Sequence, residues 1–141
     1  MAAGEPELLL VEDDSNDVAV ALRAFRRHAL AERVRVFRDG AELVEYLLGQ
    51  DRCRTAPKAI LLDLKMPRMD GRDALREIRA HAETRHIPVV IVSSSSRECD
   101  VRECYALGAN SFVVKQLTPW SPGEYLVNAA RYWLDMNEVA S

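Results

Sequence analysis

The sequence predicts an open, doubly wound α/β domain, and three observations carry that expectation. Short unbroken apolar runs alternate with amphipathic segments five times along the chain. Runs that are apolar on both faces are the pattern of parallel strands covered by helices on either side. The 141 residues hold five such units comfortably, whereas an eight-unit barrel needs ~250 residues.

Leu8-Leu9-Leu10-Val11 is the first run, a strand buried on both faces. Ser15 is placed to cap the following helix, where Val18, Ala21, Leu22 and Phe25 recur at helical spacing. Val34 and Val36 alternate with Arg33 and Arg35, as in a half-exposed edge strand guarded by charge. Asp39-Gly40 opens a helix carrying Leu43, Tyr46, Leu47 and Leu48, and the polar stretch 49–57 is a loop. The third run, 59–62, ends at Asp63; Pro67 and Asp70-Gly71 then mark a turn before a helix with Ala74, Leu75 and Ile78 inward. The β-branched fourth run, 89–92, ends in the serines 93–96. A helix around Val101, Cys104, Tyr105 and Leu107 stops at Gly108, which suits a left-handed cap. Phe112-Val113-Val114 ends at Lys115, and a last helix over about 121–137 places Leu126, Ala129, Ala130, Trp133 and Met136 on one stripe.

Composition narrows the function. Lys plus Arg number 19 against 22 Asp plus Glu, a net charge of −3, so nothing draws the chain to nucleic acid in general. Cys53, Cys99 and Cys104 are odd in number and lack metal-ligand spacing, which argues against a disulfide framework and against zinc. His28, His81 and His86 read as solvated surface residues. No apolar run approaches the ~20 residues of a membrane span. The acid and proline of the opening residues are unlike an export signal. A cytoplasmic domain over 7–137 is expected, flanked by tails at 1–6 and 138–141, with no DNA-binding segment after it.

In such a sheet, function collects at the carboxyl ends of the strands. Glu12-Asp13-Asp14, Asp63, Ser93 and Lys115 stand there. Each alone has a plainer reading, as a helix cap, a loop or a surface charge; their coincidence on converging strand ends favours a joint one. Two bare carboxylates ~4 Å apart in a low-dielectric cleft repel by several kcal/mol. A hard divalent cation held by carboxylate and carbonyl oxygen relieves that, which describes Mg²⁺. Asp63 lies centrally and is the best acceptor for a phosphoryl group, because carboxylates form acyl phosphates. Asp13 is then a direct metal ligand, Glu12 acts through water or orients the ion, and the Lys65 carbonyl could supply a backbone ligand. Lys115 and the Ser93 hydroxyl can hold the remaining phosphoryl oxygens. A phosphohydrolase of similar fold would want a second carboxylate where Lys65 stands. A nucleotide or flavin binder would want a Gly/Ser/Thr-rich loop in place of Glu12-Asp13-Asp14.

The segments Leu9-Leu10-Val11-Glu12-Asp13-Asp14, Leu62-Asp63-Leu64-Lys65-Met66-Pro67, Pro88-Val89-Val90-Ile91-Val92-Ser93 and Leu107-Gly108-Ala109-Asn110-Ser111-Phe112-Val113-Val114-Lys115 together resemble the receiver domain of two-component response regulators. The resemblance implies a flavodoxin-like (βα)5 fold with strand order 2-1-3-4-5. It also implies phosphorylation of Asp63 by a histidine kinase, a Mg²⁺ site at Glu12 and Asp13, and switching through Ser93 and Phe112. Such a chain is a phosphoacceptor signalling protein, not an enzyme acting on other substrates. Within the family, the 49–57 loop and the Tyr132-Trp133-Leu134-Asp135-Met136-Asn137-Glu138 ending are similar to the single-domain regulators that partner bacterial phytochromes. Two departures stand out. Most receivers follow the lysine with a cis proline, whereas Gln116 follows Lys115; a non-proline cis bond costs ~3 kcal/mol, so a trans bond is expected. Lys65 could reach the phosphoryl group and slow its hydrolysis. Tyr125, Tyr132 and Trp133 give the last helix aromatic area suited to a homodimer interface. Kinase docking is expected near the first helix, which carries Arg23, Arg26 and Arg27.

Overall fold

The computed structural model describes residues 4–49, 55–66, 68–116 and 120–139. Five parallel strands form one sheet: β1 (Leu8–Val11), β2 (Val34–Phe37), β3 (Ala59–Asp63), β4 (Val89–Ser93) and β5 (Ser111–Val114), in the order β2-β1-β3-β4-β5. The helices between and after them are α1 (Ser15–Arg27), α2 (Gly40–Leu48), α3 (Gly71–Ala80), α4 (Glu98–Ala106) and α5 (Glu124–Arg131). Strands β1, β3 and β4 are buried along their whole length, whereas β2 and β5 lie at the edges and are partly exposed. The unbroken apolar runs therefore occupy the centre, and the Arg-alternating run takes an edge, as the sequence pattern requires.

Because successive side chains leave a strand on opposite faces, each central strand feeds two apolar layers. Leu9, Val11, Ile60, Leu62, Val89 and Ile91 pack with α2, α3 and Cys104 of α4. Leu8, Leu10, Ala59, Leu61, Val90 and Val92 pack with α1 and α5. Chain direction across the sheet reverses after β2, so β1 and β3 are neighbours although β2 lies between them in sequence. Register then decides which residues meet at the carboxyl edge. Val11 is opposite Leu62, Asp63 opposite Val92 and Ser93 opposite Val114. The residues just beyond, Glu12 and Lys115, are thereby delivered to the same edge as Asp63.

Three local expectations are corrected. Asp14, not Ser15, caps α1: its backbone is extended and its side chain accepts from the Asp17 N–H at 2.9 Å. Ser15 is already the first helical residue, and its hydroxyl accepts from Arg38 at 2.8 Å. The last helix is shorter than expected and ends in a widened π-turn, Tyr132–Met136. That turn, closed by the Asn137 N–H on the Tyr132 carbonyl at 2.7 Å, rotates the stripe: Leu134 is buried, while Met136 is 72 % exposed. On α4, Cys104 faces the core and Tyr105 faces outward. Gly108 does cap α4 in the left-handed region, at φ 105°. Most of the 49–57 loop, with Cys53, Pro67 and the segment after Gln116, lies outside the described residues. No peptide bond among the described residues is cis, so Lys115–Gln116 is trans as expected.

His28 departs from a simple solvated role. Its Nε2 lies 2.9 Å from a Glu124 oxygen, and Arg131 contacts its Nδ1 at 2.9 Å, joining the end of α1 to α5. His86 is exposed, and the His81 Nδ1 lies 2.8 Å from the Glu77 carbonyl. Among the described residues, Cys99 and Cys104 are free thiols, and no helix is long and apolar enough to cross a membrane.

Candidate functional site: an acidic cleft at the carboxyl edge of the sheet

Glu12 and Asp13 follow β1 and Asp63 ends β3, and one carboxylate oxygen from each falls within 4.8 Å of the others. Glu12 and Asp63 are buried and Asp13 is half-buried. Close backbone packing fixes the floor beneath them. The Gly71 N–H donates to the Leu64 carbonyl at 2.8 Å, and a Cβ on Gly71 would stand 2.3 Å from the Asp63 carbonyl oxygen. Only glycine allows α3 to start this close to the end of β3.

Lys115, one residue past β5, turns its ammonium into the cleft with a side chain only 11 % exposed. It donates to Glu12 at 2.8 Å and to Asp17 at 3.0 Å, and lies 3.7 Å from Asp63. Burial works against its charge, but the bonds to Glu12 and Asp17 and the nearby Asp63 outweigh that, holding its pKa above the ordinary lysine value. Asp63 responds in the opposite sense. Burial first, and the Glu12 charge second, push its carboxyl up to about 7 against the pull of Lys115 and the Lys65 backbone N–H. At an effective dielectric near 20, two such charges ~4 Å apart cost about 4 kcal/mol. One buried ammonium does not cancel three acids.

The donor set suits a hard divalent cation: oxygen only, from carboxylates converging on one point, with imidazole and thiolate absent. Such an ion would bind Glu12, Asp13 and Asp63, and would neutralise charge on an incoming phosphoryl group.

Ser93, at the end of β4, is 2 % exposed. Its hydroxyl accepts from the Ser95 N–H at 3.0 Å, and the Ser95 hydroxyl donates to Asp100 at 2.6 Å. Phe112 is half-buried on β5, opposite Ile91, packed on the α2–α4 layer. Lys65 is exposed, with its backbone N–H on Asp63. Glu12, Asp13, Asp63 and Lys115 are thus brought together as the strand ends foretell, with Ser93 on the adjoining one.

The aromatic residues of the last helix separate. Tyr125, expected at an interface, packs on the α1–α5 layer and lines a small cleft with Glu12, Asp17, Asp63 and Val92. Burial lifts its phenol to about 12, with Lys115 opposing and the three acids adding. Tyr132 is 44 % exposed and meets Trp133 edge-on at 5.1 Å. Two further residues of the cleft escape sequence reasoning. Asp17 reads as an ordinary first-turn acid of a helix. Arg38, which donates to the Asp13 carbonyl at 3.1 Å and so ties the β1–α1 loop to β2, reads as one more charge of an edge strand.

The response regulator receiver domain family matches residues 8–121. Among curated relatives, "Probable methanogenesis regulatory protein FilR2" of Methanothrix harundinacea is 34 % identical over 131 residues, covering 92 % of this chain and 84 % of that protein. Response regulator Rcp1 of Synechocystis sp. is 29 % identical over 130 residues, covering 91 % and 88 %. The Mn²⁺-bound crystal structure of Rcp1 superposes with a TM-score of 0.82 at 27 % identity, over 96 % of this chain and all of that one (100 %). The phosphorylated cyanobacterial phytochrome response regulator RcpA gives 0.83 at 29 % identity, over 98 % and 100 %. Family match, strand order and acidic cleft agree, and the chain belongs to the response regulator receiver family, as a signalling domain related to the phytochrome response regulators.

Proposed function

We propose that the chain is a single-domain response regulator that accepts a phosphoryl group on Asp63 from a histidine kinase, with Mg²⁺ as cofactor. In that step an Asp63 oxygen forms a bond to phosphorus as the phosphorus–nitrogen bond of a phosphohistidine breaks. The electron pair leaves with the imidazole, which is then protonated. Lys115 holds a phosphoryl oxygen by charge and the Ser93 hydroxyl holds another. Glu12, Asp13 and Asp63, with the Lys65 carbonyl, hold the cation. The Ser93 hydroxyl gives up the Ser95 N–H when it turns to the phosphoryl group, and Phe112 moves into the space beside it; that pair is the switch. The observation that carries this reading is the convergence of three carboxylates within 4.8 Å, with Lys115 3.7 Å from Asp63.

The likeness to Rcp1 and RcpA supports a bacteriophytochrome as the kinase and a cytoplasmic location. The signalling unit spans 7–137. Kinase docking falls on α1, where Arg23, Arg26 and Arg27 are exposed. Signal leaves through protein contacts, including a homodimer formed by the last helix and the face beside it, with Tyr132 and Trp133 central and Tyr125 at the inner margin. Acetyl phosphate with Mg²⁺, read by intact mass, tests the core of the proposal. The parent chain should gain the mass of one phosphoryl group and Asp63→Asn none; equal labelling of both would refute it.

A further inference from the structure

Asp17 is bonded to the ammonium buried in the cleft, yet it is not among the acids that converge on the metal position. Its oxygen meets the Lys115 ammonium at 3.0 Å from the first turn of α1, across 98 residues of sequence. An ammonium has three N–H donors. Glu12 and Asp17 engage it at hydrogen-bond length, and Asp63 stands at 3.7 Å, which leaves one N–H for it. The lysine can therefore serve Asp63, or a group carried on it, without releasing Asp17.

The two carboxylates that hold Lys115 are not equivalent. Glu12 belongs to the group whose oxygens converge within 4.8 Å, and Asp17 does not. With a divalent cation on Glu12, Asp13 and Asp63, the ammonium faces added positive charge and a Glu12 carboxylate already neutralised. Of the described carboxylates around it, Asp17 keeps its full attraction for it. We infer that Asp17 is a positioning residue that retains Lys115 in the cleft against the repulsion of the bound cation, so that the lysine is in place when the phosphoryl group arrives. This rests on the reading of Asp63 as phosphoacceptor. The side chain of Asp17 is 41 % exposed, so its substitution leaves no buried orphan of its own. Its backbone N–H, which Asp14 accepts, is untouched.

The test compares the full chain with Asp17→Asn, Asp17→Glu, Lys115→Ala and the Asp17→Asn/Lys115→Ala double variant. Phosphorylation by acetyl phosphate in Mg²⁺ should slow roughly three- to tenfold in Asp17→Asn, the range for losing a half-exposed charged hydrogen bond. Asp17→Glu should restore part of the rate. In the Lys115→Ala background, Asp17→Asn should have no further effect. A second readout does not need phosphorylation. The chain has three lysines, Lys58, Lys65 and Lys115. In ¹⁵N-lysine-labelled protein with Mg²⁺, the Lys115 ammonium signal, assigned by its loss in Lys115→Ala, should be protected in the parent and exchange-broadened in Asp17→Asn. Parent-like rate and signal in Asp17→Asn, or an equal slowing with and without Lys115, would overturn the inference. If the parent accepts no phosphoryl group, the Asp63 reading fails, and the ammonium signal still decides the role of Asp17.

Discussion

Asp63 is costly to ionise where it sits. Its carboxyl keeps its proton up to about pH 7 when folded, against about 4 in an unfolded chain. Between those values the folded state binds more protons, so its stability falls as pH rises from about 4 to about 7 and is level above. Asp63→Asn removes the ionisation. In chelator, it should match the parent near pH 4 and exceed it by roughly 1–3 kcal/mol at pH 7.5. Urea unfolding across that range measures the difference, and parallel curves would contradict it. Mg²⁺ should close the gap by stabilising only the parent. Which side chains share the cleft is legible where they stand on strand ends. Glu12, Asp13, Asp63, Ser93 and Lys115 can be placed near one another because topology must bring such positions together; Asp17 lacks that signal, and Arg38 reads as edge-strand charge. For Asp17 one pattern serves two purposes: an acid three residues past a cap also suits the helix dipole.

Caps and close approaches decide how the elements deliver these residues. Asp14→Ala removes the bond to the Asp17 N–H and should lower stability by about 1 kcal/mol. Ser15→Ala should matter less, since Ser15 is not the cap; a reversed order in thermal or urea unfolding would contradict the assignment. Gly71→Ala should be harsher. Its methyl would press on the Asp63 carbonyl at 2.3 Å, so a loss above about 2 kcal/mol is expected, with weaker Mg²⁺ binding by calorimetry as the β3 end shifts. Asp-Gly before an apolar stripe announced a turn into a helix, but not that the glycine rests on the Asp63 backbone. The final helix shows the same boundary. An α-helical period of 3.6 predicted Met136 inside, and the widened turn after Arg131 put Leu134 there instead. A π-turn bonds i to i+5 and so shifts the face that follows, which a period of 3.6 does not encode.

The whole molecule is legible because its two apolar layers are written as runs without polar interruption. Leu61, fully buried in the α1–α5 layer, should cost about 2–5 kcal/mol as Leu61→Ala. Assembly was less legible, since aromatic residues on one helix serve core and surface alike. Tyr125 turns toward the cleft and Tyr132 outward. Sedimentation should therefore show a dimer that Tyr132→Ala weakens; a monomer at micromolar concentration in every state would remove that part of the account. The proposed function requires acids from β1 and β3 together to let one of them carry a labile phosphoryl group. Borohydride trapping tests it most directly, because an aspartyl phosphate is reduced to homoserine and can be located by peptide mass. After acetyl phosphate and Mg²⁺, homoserine is predicted at position 63 and nowhere else, and only while Mg²⁺ is present. Homoserine at position 13 or 14, or none at all, would contradict the account.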